Sequence, residues 1–324
     1  MKAIVCDEFA PVEKLKYQDV PDPVAKKGHV VVDVTACGVN FPDGLLVQGL
    51  YQMKPDFPFI PGNEVAGVIS EVGEGVSHLK VGMRVIALCM LGGYAEKVAC
   101  PASHIMPIPD AIPDEEAAAL VTAHATAHHA LKQRAQIKPG EILLVTGAAG
   151  GTGLAAVQIG KEMGATVIAV CSTQEKLDVA KANGADILIN YTETDLKTAI
   201  KEVTAGKGVD VVYECVGGDA FNACSRSMAW NGRLLVVGFA SGTIPDFPVN
   251  LCLVKGYSVM GVFWGSFTQH QPKDFAANMQ ELLLWYVQGK VKVIVDEVLP
   301  LKDAKDALNK VMGREVMGKM TLKP

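Results

Sequence analysis

The chain has 324 residues, 49% of them hydrophobic, with 30 Lys and Arg against 35 Asp and Glu for a net charge of −5. That length favours two domains, and the apolar content is ample for a core in each. The balanced charge, with no dense run of Lys and Arg, speaks against a nucleic-acid-binding face. Met1–Val5 leads straight into strand-like sequence and no apolar run is long enough to span a bilayer, so neither a signal peptide nor a membrane segment is expected. Eight cysteines are scattered without a CxxC pair, several inside apolar runs. They read as reduced core residues of a cytoplasmic protein.

The first part of the chain is rich in strand patterns. Val30–Val34, interrupted by Asp33, then Val65–Val72, Arg84–Leu88 and Gly92–Ala99 are the candidates, separated by turns such as Pro61-Gly62 and Gly73-Glu74-Gly75. Many short strands with frequent turns predict a compact β-rich domain. An Ala-rich helix is expected over Pro113–Leu131, with Asp114, Glu115 and Glu116 in its first turn, where the helix dipole favours acids. After Pro139-Gly140 strands and helices alternate. The strand candidates are Ile142–Val145, Thr166–Cys171, Ile187–Ile189, Val209–Glu214, Leu234–Val237 and Ser258–Phe263. Such alternation marks a doubly wound parallel sheet, and six strands complete one dinucleotide-binding unit. Beyond Pro272 the pattern is helical over Phe275–Val287, strand-like over Val291–Val298 and helical again over Leu301–Val311.

Glu141–Lys161 is the most informative stretch. A short apolar run is followed by Gly147, Gly150, Gly151 and Gly153, then by apolar residues at helical spacing. Strand, tight glycine turn and helix together make a site for a dinucleotide pyrophosphate, because backbone approaches phosphate only where side chains are absent. The helix opening adds free N–H groups. Ala149 stands where the GxGxxG fingerprint has its second glycine. About 20 residues on, NAD sites place an acid. Here Val170-Cys171-Ser172-Thr173 carries none before Glu175, and Lys176 follows. A 2′-phosphate is repelled by a carboxylate and welcomed by a hydroxyl and an ammonium, so NADPH is the expected cofactor. Ser172-Thr173 also suits a helix cap, and the two uses are compatible.

Gly140-Glu141, Leu144, Ala148-Ala149-Gly150-Gly151-Thr152-Gly153, Gln158 and Lys161 resemble the signature of the zinc-free quinone oxidoreductase (zeta-crystallin-like) branch of the medium-chain dehydrogenase/reductase superfamily. Asn40-Phe41-Pro42-Asp43, Gly49-Leu50-Tyr51 and Pro58-Phe59-Ile60-Pro61-Gly62-Asn63-Glu64 extend the resemblance over nearly the whole chain. It implies a GroES-like β-rich catalytic domain over residues 1–120, completed by 266–324, and a six-stranded doubly wound Rossmann domain over 121–265. It also implies Asn40 and Tyr51 beside the substrate, where an amide and a phenol can orient a carbonyl oxygen. Tyr191 is implied to join Ser172 and Lys176 at the 2′-phosphate, and Thr126 to lie near the nicotinamide carboxamide. Gly238-Phe239-Ala240 and Val262-Phe263-Trp264 are implied at the carboxyl ends of the strands. Phe263 and Trp264 are equally readable as core or interface packing. Val216, closing the fourth strand, can pass under a ribose. His124 departs from the family habit in the helix that carries Thr126.

Zinc-dependent relatives carry a Cys and a His where this chain has Asn40 and Asn63, and amides are poor zinc ligands. Only Cys89 and Cys100 fall where those relatives have a four-cysteine lobe, so no metal is expected. Without a Lewis acid, hydride can still pass to an acceptor that is already electrophilic, such as a quinone or an α,β-unsaturated carbonyl. An enoyl-thioester reductase of the same superfamily and a non-catalytic NADPH-binding protein stay open as alternatives. A homodimer through Ser258–Phe263 is implied by the resemblance.

Overall fold

A computed structural model describes residues 1–324. In chain order the strands are β1 (Lys2–Val5), β2 (Lys16–Asp19), β3 (His29–Val39), β4 (Glu64–Val72), β5 (Arg84–Leu88), β6 (Lys97–Pro101), β7 (Ile105–Pro107), β8 (Ile142–Thr146), β9 (Thr166–Cys171), β10 (Ile187–Asn190), β11 (Val209–Glu214), β12 (Met228–Val236), β13 (Ser258–Gly261), β14 (Val295–Pro300) and β15 (Lys319–Lys323). The helices are α1 (Phe41–Val47), α2 (Asp114–His129), α3 (Gly151–Glu162), α4 (Gln174–Ala182), α5 (Leu196–Val203), α6 (Gly218–Ser225), α7 (Asn250–Lys255), α8 (Trp264–His270), α9 (Pro272–Val287) and α10 (Ala304–Met312). None is long and apolar enough to cross a membrane. The chain divides into two compact units, Met1–Thr122 with Val293–Pro324, and Ala123–Lys292.

In the first unit a seven-stranded sheet runs in the order β14-β15-β3-β4-β5-β7, with β6 also paired to β3. This is the GroES-like β domain. Asp33 does not interrupt its strand. It faces solvent in β3 while Val32 and Val34 point inward, the alternation of a half-buried strand. The strand expected over Gly92–Ala99 instead spans Lys97–Pro101. Gly92, at φ +97°, breaks the extended chain, and the backbone of Gly92, Gly93 and Tyr94 bonds to the Ile60–Gly62 segment. The C-terminal strand begins at Val295, past the buried Val291 and Val293.

The second unit is a Rossmann domain. Its six parallel strands run β10-β9-β8-β11-β12-β13, which is 3-2-1-4-5-6 in order of appearance. Strand order reverses between β8 and β11, so ligands of this fold bind outside the carboxyl ends of those two strands. Helix α3 buries Leu154–Gly160 against the sheet. Gly160 permits that approach, since a Cβ there would stand 2.4 Å from Leu143 Cδ2. Strand β12 starts at Met228, well before the expected Leu234, because Asn231 takes φ +60° and the pairing with β11 slips there.

The second break in the chain also differs from expectation. Residues 266–292 were expected with the β-rich unit, yet they group with the Rossmann unit. The packing explains it: Phe267 stacks on His129 at 3.8 Å, Asn278 Oδ1 accepts from Gln133 at 2.8 Å, and Glu281 meets His128 and Lys132.

Candidate active site

The glycine turn lies at the carboxyl end of β8. Gly147 has φ +60°, a conformation an L side chain rarely adopts. Gly153 lies against it, and a Cβ there would come within 2.2 Å of the Gly147 carbonyl oxygen. Those two glycines are required by the turn itself. Gly150 is different. The nearest atom to a Cβ there is Gly147 O at 3.5 Å, so the protein has room for a side chain and carries none. Gly238 is the same, with Cys215 O at 3.5 Å. Bare backbone that folding does not demand is what a pyrophosphate needs, so the turn fits a dinucleotide. Gly151, Thr152 and Gly153 are the first three residues of α3, and their N–H groups have no carbonyl one turn back. The Thr152 hydroxyl is already taken, by the Ala123 carbonyl at 3.3 Å and by the Tyr213 hydroxyl.

The ends of β9 and β10 bring together three residues named from sequence. Thr192 Oγ1 donates to the Ser172 carbonyl at 3.2 Å and the Tyr191 N–H to the Cys171 carbonyl at 3.2 Å. Thr173 caps α4, accepting from the Lys176 N–H at 3.3 Å. No carboxylate stands between Cys171 and the exposed Glu175.

The sequence reading missed Glu214. It is wholly buried at the end of β11 and accepts from the N–H groups of Val216 and Gly217 at 3.0 Å and from Thr146 Oγ1 of β8 at 3.0 Å. Burial pushes its carboxyl up, and the donors oppose that. Glu214 ties the two strands at the switch point together and takes the Val216 N–H, while the Val216 carbonyl accepts from the Ser241 N–H at 2.8 Å, so Val216 offers a ligand chiefly its side chain. The available signal was an acid ending an apolar strand. Thr126 is half-buried on α2, and Gly238, Phe239 and Ala240 follow β12, partly exposed. Phe263 is 54% exposed, whereas Trp264 is 7% exposed and packs edge-on against Phe275. His124 is buried and donates from Nε2 to the Lys292 carbonyl at 3.2 Å. His128, its pKa lowered by burial to about 4, is neutral and donates to Glu281.

The β-rich unit holds a second polar cluster. Asn40 lies between β3 and α1 as the N-cap of that helix, and its N–H donates to the buried carboxylate of Asp43 at 2.9 Å. Asp43 also accepts from Tyr94 at 2.8 Å, and burial raises its pKa to about 7. The Asn40 side chain, 7% exposed, donates from Nδ2 to Glu64 Oε1 at 2.7 Å and to Asn63 Oδ1 at 3.1 Å. Glu64 is fully buried, pairs with Lys319 at 2.9 Å and accepts the Thr122 N–H at 2.7 Å. Gly38 makes room for that carboxylate, since a Cβ would meet Glu64 Oε1 at 2.5 Å. Tyr51 packs on the core of this unit, and burial, with the charge of Asp43, raises its phenol pKa. It is therefore a neutral O–H donor at pH 7.

Around the carboxylates of Asp43 and Glu64, which are already bonded to Tyr94, Asn40, Thr122 and Lys319, the cluster offers only amides, phenols and an ammonium, a set that does not fit zinc. No group of three His, Cys, Asp or Glu side chains converges as a metal site would require.

The comparisons with known proteins agree with this geometry. The sequence model of the alcohol dehydrogenase GroES-like domain matches residues 26–110, and that of the zinc-binding dehydrogenases matches residues 151–284. The chain is 39% identical to quinone oxidoreductase-like protein 2 of Rattus norvegicus over 323 residues, 99% of this chain and 91% of that protein. The crystal structure of Escherichia coli quinone oxidoreductase complexed with NADPH superposes with a TM-score of 0.94 at 31% identity, over 100% of both chains. That of CurK enoyl reductase gives 0.90 at 27% identity, over 99% of this chain and 98% of the other. A β-rich unit with a polar amide cluster, a Rossmann sheet with a bare glycine turn and this full-length similarity lead to one conclusion: the chain belongs to the quinone oxidoreductase branch of the medium-chain dehydrogenase/reductase superfamily.

Proposed function

We propose that the protein is an NADPH-dependent reductase that acts on quinones or α,β-unsaturated carbonyls without zinc. One observation carries the reading: the amides of Asn40 and Asn63 stand where metal-using relatives hold a Cys and a His, with the Tyr51 phenol in the same unit, in a chain whose other unit has a bare dinucleotide turn. The NADPH complex of the E. coli relative supports the cofactor, as does the end of β9, which offers a hydroxyl and an ammonium and no acid. When bound, NADPH supplies the hydride.

The chain's own residues do the rest. The N–H groups of Gly151, Thr152 and Gly153 hold the pyrophosphate, with Gly150 leaving it room. Ser172, Lys176 and Tyr191 take the 2′-phosphate. Thr126, Val216, Gly238, Phe239, Ala240 and Phe263 line the nicotinamide half, and Trp264 supports Phe263 from the core. Tyr51 donates to the acceptor's oxygen as negative charge develops there. Asn40 holds the polar cluster beside it in register.

Replacing Tyr51 by Phe removes one O–H and little else. Turnover should fall about tenfold or more while NADPH affinity stays unchanged. Unchanged turnover in Tyr51→Phe would remove Tyr51 from the site. The similarity to CurK enoyl reductase favours a second reading, an enoyl-thioester reductase using the same hydride donor.

A further inference from the structure

The polar cluster of the β-rich unit has a direction. Lys319 is buried there and brings an ammonium, which only donates. It bonds to the Val39 carbonyl at 3.0 Å, to Glu64 Oε1 at 2.9 Å and to Asn40 Oδ1. That fixes which end of the Asn40 amide faces the lysine. The Nδ2 end is turned away and donates to Glu64 and Asn63. The constraint then passes one residue further. Asn63 must present its oxygen to Asn40, and the same oxygen accepts from Thr122 Oγ1 at 3.4 Å. The two N–H bonds of Asn63 Nδ2 are left without a partner, on a half-buried side chain. Both Asn40 donors are used within the protein, and both Asn63 donors are open.

We propose that Asn63 is a further hydrogen-bond donor to the oxygen of the acceptor, and that Lys319 and Asn40 are positioning residues that set the polarity of its amide. The inference deepens the reductase reading and rests on it. An amide N–H suits a developing oxyanion because it donates without being consumed as a proton. The ionisable groups around it are Glu64, Lys319 and Asp43.

The experiment compares the wild type with Asn63→Asp, which keeps an oxygen facing Asn40 and Thr122 and replaces the two N–H donors by a second oxygen that carries negative charge once ionised. Turnover is measured with NADPH and a simple para-quinone across pH, and NADPH affinity is titrated separately. Binding of 4-nitrophenolate, an oxyanion that needs no reduction, is followed by its absorption. The expected result is a fall in kcat of about 100-fold at neutral pH, with NADPH affinity unchanged and 4-nitrophenolate binding lost. Part of the activity returns at low pH, where the introduced carboxyl regains a proton to donate. Turnover within about twofold of wild type, a loss equal at every pH, or undiminished 4-nitrophenolate binding would overturn the proposal.

The positioning role is read in the pair Lys319→Met with Glu64→Gln, chosen to leave no unpaired buried charge. It should fold, bind NADPH as before and show a lower kcat. Wild-type kcat in that folded pair would remove Lys319 from the relay. A wild type that reduces neither quinone nor enone, yet loses 4-nitrophenolate binding on Asn63→Asp, would sink the reductase reading and leave the Asn63 donor standing.

Discussion

Asp43 shows how one buried group sets a measurable pH dependence. Its ordinary pKa of 3.8 is raised to about 7 by burial, so the folded protein holds the proton more tightly than the unfolded chain. As pH rises from about 4 to about 7 the unfolded chain ionises first, and the contribution of Asp43 to stability is progressively lost. Asp43→Asn should therefore flatten the dependence of Tm on pH across that window. Equal slopes in the two proteins would contradict the assignment. Glu64 and Lys319 are a different case, a buried pair whose partners stand or fall together. Lys319→Met alone should cost about 3–5 kcal/mol by leaving Glu64 unpaired, with much of the loss recovered by adding Glu64→Gln. Denaturant unfolding of the three variants checks this. At this scale the sequence was partly legible. Asn40 and Tyr51 were named as candidates because their motifs are local. Lys319 lies 279 residues from Asn40 and Glu214 68 residues from Thr146, and no spacing rule reaches across such separations.

The proposed choice of NADPH rests, at the scale of an element, on the end of β9, which carries no acid before Glu175. Lys176→Ala should weaken NADPH binding far more than NADH binding, since only the former carries the 2′-phosphate. Equal losses would leave Lys176 as a helix residue with no phosphate role. The glycine turn makes a sharper prediction. Gly153→Val should abolish cofactor binding and destabilise the Rossmann unit, because the first atom of any side chain there collides with Gly147. Elements of this kind were readable from sequence, since strand, turn and helix follow one another within about 20 residues. Boundaries were less so. The start of β12 and the position of β6 depend on residues at positive φ, Asn231 and Gly92, whose conformation is set by neighbours outside the strand.

At the scale of the whole molecule, β13 forms one edge of the Rossmann sheet, a four-residue strand with no neighbour beyond it. Trp230, Val249, Leu253 and Val254, on β12 and on the stretch leading into β13, are all exposed. An open edge beside exposed apolar side chains is a liability that pairing removes. We propose that two copies join sheets there as a homodimer, and Leu253→Glu with Val254→Glu should turn a dimer on a sizing column into a monomer. A wild type that elutes as a monomer would refute it. The grouping of α8 and α9 with the Rossmann unit was not readable from sequence, because it comes from contacts with the end of α2 and the residues just after it, far back in the chain.

The central claim is the chemistry of the acceptor, and one assay meets it directly. Oxidation of NADPH by the purified protein is followed with a simple para-quinone, an alkenal and an enoyl-CoA side by side. Rapid turnover of the quinone or the alkenal, with little of the thioester, is the predicted result. Preference for the thioester, or silence with all three in protein that binds NADPH, would contradict it.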